Sequence, residues 1–78
     1  MGKLITTRQF VDTFAELNWT VAGLCKRIEK GEIPAIKDGN RYKVWPAEIR
    51  SKLIKDNSGN SDAIEFINRV FDRTVKAV

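Results

Sequence analysis

Histidine is missing from this 78-residue chain, and cysteine occurs once, as Cys25. A single thiol forms no internal disulfide, and with no imidazole beside it a structural zinc site is not expected. The same absence removes the commonest general base and the Ser-His and Cys-His nucleophile pairs. The ten carboxylates show no spacing that singles out an acid/base pair. Neither an enzymatic role nor a cofactor is expected. No stretch approaches the roughly 20 apolar residues of a membrane span. The start, "MGKLITTRQF", lacks the apolar centre of a secretory leader. The scarcity of thiols points to the cytoplasm.

What is present suits one small domain. An apolar content of 42% and a charged content of 31% are those of an ordinary globular protein. A chain of this length buries only about 60% of the surface it exposes unfolded, so its core is thin and leaves little room for a deep pocket.

The net charge is +4, and it is unevenly spread. Residues 20–55 hold nine basic residues against Glu29, Glu32, Asp38 and Glu48, net +5, whereas residues 1–19 are neutral and residues 56–78 carry −1. Positive charge focused in the middle third fits a polyanionic partner such as nucleic acid. A solvated basic face is the bland alternative.

The punctuation residues divide the chain. Thr6 with Gln9 three residues on has capping-box spacing, and Ile5 and Phe10 flank it as a hydrophobic staple. Phe10, Phe14 and Leu17 recur at helical spacing, which predicts a first helix over about 7–17. "LNWT" interrupts it. Thr20 then caps a second helix, "VAGLCKRIEKG", whose inner stripe is Val21, Leu24, Cys25 and Ile28 and whose C-terminal cap is Gly31.

A hairpin follows. Pro34 confines its first strand to an edge. A three-residue loop, Asp38-Gly39-Asn40, pairs Ile36 with Tyr42 and Lys37 with Arg41, with Asn40 in the left-handed region. This register is preferred because it gathers Ile36, Tyr42 and Val44 on an inner face and Lys37, Arg41 and Lys43 on an outer one.

Pro46 opens a third helix with Ile49, Leu53 and Ile54 inward. "DNSGNSD" reads as a flexible linker. A last helix from near Ser61 carries Ile64, Phe66, Ile67, Val70, Phe71 and Val75, with Arg73 and Lys76 near its end. Its broad apolar face either covers the core or mediates self-association, and packing on the core is slightly favoured. Phe10, Phe14, Trp19, Tyr42 and Trp45 read as core, and Cys25 as an inert, part-buried residue.

The ordered set "ITTRQF … TVAGLCKRIEKGEIPAIKDGNRYKVWPAEI" resembles the MerR-like winged helices of the phage excisionase family over roughly residues 4–55. "IKDGNRYKV" looks especially like the wing of lambda-type excisionases. "AELNWT" makes the link between the first two helices about three residues longer than is usual there.

The resemblance implies an α+β, mostly helical fold: a winged helix-turn-helix with an extra C-terminal helix. Residues 1–56 would form the DNA-binding domain, 57–61 a linker and 62–78 the added helix. It implies double-stranded DNA as partner, a recombinase as a second partner, and copies binding side by side on DNA. The location would be the cytoplasm of a bacterial or phage-infected cell. Groove-facing residues would be Thr20, Val21, Ala22, Gly23, Lys26 and Arg27. Wing contacts would be Lys37, Asn40, Arg41 and Lys43.

So few base-reading side chains predict dependence on DNA shape and bending. That suits an excisionase that helps an integrase. Two other uses of the fold stay open, a terminase-type recognition module and a transcription regulator. So does a third of another class, a protein-interaction adaptor without DNA binding.

Overall fold

The computed structural model describes residues 3–77, with side chains described through Arg73; Val75 and Lys76 lie outside the described side chains. Four helices and a three-stranded antiparallel sheet form an α+β fold.

The capping box forms as its spacing predicts. Gln9 N–H donates to Thr6 Oγ1 at 3.1 Å, and Thr6 N–H donates to Gln9 Oε1 at 3.0 Å. It starts α1, Thr7–Thr13. This helix is shorter than the expected 7–17. Phe14 leaves helical geometry, a 3-10 turn covers Ala15–Leu17, and Asn18 takes the left-handed conformation at φ 59°. Asn tolerates that conformation better than most residues. The break aims two aromatics at the core. Phe14 stacks on Phe71 at 4.5 Å between ring centroids, and Trp19 returns to within 5.8 Å of Phe10. The extra residues of the link are therefore folded, not slack.

Thr20 caps α2, Val21–Glu29, by accepting the Gly23 N–H at 3.0 Å. Leu24 is buried, while Val21, Cys25 and Ile28 are half-buried beside it. Gly31 ends the helix at φ +78°. Its N–H donates to Ile28 and the Glu32 N–H to Arg27, the two backbone bonds of a Schellman cap.

The sheet departs from the expected register. Strands β2 (Ala35–Asp38) and β3 (Arg41–Val44) pair Asp38 with Arg41, Lys37 with Tyr42, Ile36 with Lys43 and Ala35 with Val44. The loop is Gly39-Asn40, two residues long. Gly39 sits at φ +66°, and Asn40 is not in the left-handed region. Glycine first in a two-residue loop is the II′ pattern, whose twist suits paired strands.

The faces change accordingly. Ile36 is 44% exposed and does not finish the core. Lys37 shares a face with Tyr42, its ammonium 5.9 Å from the ring, and does not stand beside Arg41 and Lys43. A third strand, β1 (Ile5–Thr6), was not expected. It pairs Ile5 with Val44, which puts β3 at the centre and β2 at an edge. The inner row is Ile5–Val44–Ala35, and Val44 is fully buried. Small Ala35 faces the core where Ile36 was expected. Ile36→Lys should therefore change stability by no more than about 0.5 kcal/mol, the range of a surface substitution. A loss of several kcal/mol in urea unfolding would restore the other register.

Pro46 is the first residue of α3, Pro46–Asp56. Residues 57–60 form a hydrogen-bonded turn in place of a flexible linker. Asn57 Nδ2 donates to the Leu53 carbonyl at 2.8 Å, and Asn60 Oδ1 accepts the Ala63 N–H at 3.1 Å. This starts α4, Ser61–Ala77, which packs on α3 and covers the core, with Ile67, Val70 and Phe71 buried among Phe10, Phe14, Leu24, Ile33, Val44 and Ile49. Arg50 ties α3 to α4, donating to Asn68 Oδ1 at 2.8 Å and Asp72 at 3.0 Å. Among the described residues no helix is long and apolar enough to cross a membrane.

Candidate nucleic-acid interface

The basic residues divide by what they touch. On the α3–α4 side most are committed to carboxylates: Arg50 to Asp72, Lys52 to Asp56, Arg69 to Glu65 and Arg73 to Glu16, all within 3.3 Å. On α1, α2 and the hairpin they are mostly not. Among the described residues Arg8, Lys26, Arg27, Lys30, Lys37 and Arg41 have no carboxylate at ion-pair distance, and all are exposed. Lys43 is the exception there, held 3.1 Å from Asp38. The sequence-level excess of positive charge is thus concentrated further by pairing in the fold.

At 100° per residue, α2 presents three strips. Leu24 and Ile28 face the core, with Val21 and Cys25 at its margin. Ala22, Lys26 and Lys30, four apart, form an outward strip, with small Ala22 at the start and cations behind it. Arg27 points to another flank, its guanidinium 4.6 Å above the Trp19 ring. The six residues expected to face a groove therefore do not share one surface. Thr20 is engaged as a cap, Val21 lines a cleft, Ala22 and Lys26 face outward, Gly23 adjoins the Lys30 edge of that strip, and Arg27 turns to Trp19.

Gly23 has a local explanation. An added Cβ would lie 3.1 Å from Thr20 Oγ1, and no atom of α1 comes within 4 Å of it. Crowding against the cap hydroxyl, not packing on the first helix, is what the glycine relieves.

Between α2 and the hairpin lies a cleft of about 390 Å³. Val21, Cys25 and Glu29 line its α2 side, and Asn40, Arg41 and Tyr42 its hairpin side. Thr6, Thr7 and Arg8 close the end. The fold thus brings the hairpin residues Asn40 and Arg41 to the same cleft as α2, while Lys37 and Lys43 lie on opposite faces of the hairpin.

Two cations escaped the reading from sequence. Lys30 had a signal, the four-residue spacing Ala22-Lys26-Lys30. Arg8 had none, because its nearness to the hairpin tip depends on long-range packing. Among the described residues no cluster of His, Cys, Asp and Glu could hold a metal ion. In comparisons with family models, curated proteins and solved structures, none matches this chain.

Proposed function

We propose that this chain is a small DNA-binding protein of the winged helix-turn-helix type, with α2 as the major-groove helix and the β2–β3 hairpin as the wing. The observation that carries the reading is the partition of charge among the described residues: cations paired on the α3–α4 side except Lys55, and unpaired on α2, the hairpin and Arg8 except Lys43. A solvated basic face would gain a little from neutralising its charges locally, and this one leaves them unpaired. The outward strip suits a groove, because Ala22 lets the helix approach and Lys26 and Lys30 reach phosphates. On the hairpin, Arg41 is the strongest wing contact, and Lys37 reaches a backbone only from the opposite face, beside Tyr42. Lys43 contributes less while Asp38 neutralises it.

The α2 strip holds no Asn, Gln or Arg, the side chains that favour adenine or guanine, so discrimination would come from DNA shape and bending. That, with the wing sequence "IKDGNRYKV", favours an excisionase-like architectural role beside a recombinase over terminase-type recognition or transcription control.

The test is selection from a randomised duplex pool, followed by a bending assay on the recovered site. Recovery of a bent site, bound more tightly when a recombinase is present, is the expected result. A protein that retains no duplex at low salt is not a DNA-binding protein, and the adaptor reading would replace this one.

A further inference from the structure

We infer that the cleft between α2 and the hairpin is a seat for one phosphate, gripped by Arg8 from the start of α1 and Arg41 from the hairpin. This rests on the DNA-binding reading and goes beyond it, because neither the charge partition nor the wing sequence says where the backbone crosses. A helix in one groove and a hairpin in the next leave a single sugar-phosphate strand to pass between them. The space between α2 and the hairpin is this cleft.

Its chemistry fits the passenger. Arg8 and Arg41 come from distant parts of the chain, both line the cleft, and among the described residues neither has a carboxylate partner. Two guanidinium forks on one phosphate give directional, charge-assisted hydrogen bonds that lysines do not. Asn40 and Tyr42 bring an amide and a phenol to the same space, and neither side chain is hydrogen-bonded within the described protein. Glu29 is the one carboxylate in the lining. It repels a phosphate and forms no ion pair with either arginine, so it weakens the seat.

The source of the phosphate is a DNA backbone diester, and a free phosphate is the competing source. Duplex affinity is measured against salt for wild type, Arg8→Ala, Arg41→Ala, the double variant and Glu29→Gln, with Lys55→Ala as a distant control. Each arginine variant should bind about tenfold more weakly and lower the salt slope by about 0.9. Glu29→Gln should bind about threefold more tightly, the effect of removing a unit charge several ångströms away in water. Duplexes carrying one neutral methylphosphonate are then scanned along the site. At a single position Arg8→Ala and Arg41→Ala should both lose their effect.

Arg8→Ala that binds like wild type overturns the seat, as do arginines that answer to different positions. Titration with inorganic phosphate at constant ionic strength, read by amide shifts, covers the other source. Saturable shifts at Arg8 and Arg41 with no arginine effect on duplex binding would assign the cleft to a small phosphate and overturn the backbone assignment. If wild type binds no duplex at all, it is the DNA-binding reading that fails. Thermal melting of each variant confirms that the fold is intact, and Arg8→Lys and Arg41→Lys, which keep the charge but lose the fork, should recover only part of the affinity.

Discussion

Phe71→Ala should leave the chain without a cooperative unfolding transition at 25 °C. Phe71 is 2% exposed, stacks on Phe14 at 4.5 Å and lies 6.4 Å from Phe10. The Arg50 guanidinium lies over its ring at 5.9 Å. Truncating a buried Phe costs about 3–5 kcal/mol. A single core in a chain this small rarely supplies more than about 3–5 kcal/mol in total. The loss is thus as large as the stability. Ile67→Val gives a graded companion on the same helix, with an expected cost of about 0.5–1.5 kcal/mol. Both are read by circular dichroism in urea. If Phe71→Ala leaves the transition of α1–α3 and the sheet intact, α4 is an appendage and not part of the cooperative unit.

The second large effect is on binding. Lys26→Glu with Arg41→Glu reverses one charge on the outward strip of α2 and one on the hairpin, both exposed and unpaired. Neither side chain is in the core, so stability should change by less than about 0.5 kcal/mol per site. Duplex affinity should fall by about a hundredfold or more, since two charge-assisted phosphate contacts are lost at about 1.5 kcal/mol or more each and two repulsions are added. Arg69→Glu with Lys52→Glu reverses two charges on the α3–α4 side and should leave binding within a few-fold of wild type. Equal losses in the two pairs would mean that net charge, not a face, governs association.

Local signals were legible because each acts within a few residues. Thr6 with Gln9, Thr20, Gly31 and Pro46 all stand where a cap or a first helical turn requires them. The hairpin register differs from the one that alternation predicts, for a physical reason. Alternation favoured Ile36, Tyr42 and Val44 as one face, but Gly39 suits the first place of a two-residue loop, and that moves Ala35 opposite Val44. Strand β1 is two residues long and too short to show a period of its own; its place depends on Ile5 meeting Val44 far along the chain. The candidate site followed the same division. Lys26 and Arg41 could be named from sequence. The seat of Arg27 over Trp19, the neutralising of Lys43 by Asp38 and the arrival of Arg8 beside the hairpin could not, since each needs the packed fold.

If unpaired cations meet a nucleic-acid backbone, the salt dependence of duplex binding shows it most directly. With about four to six phosphates contacted, log affinity should fall against log salt with a slope of about −4 to −5. Arg41→Ala should make that slope shallower by about 0.9. A flat dependence, or a slope indifferent to Arg41, would contradict the account.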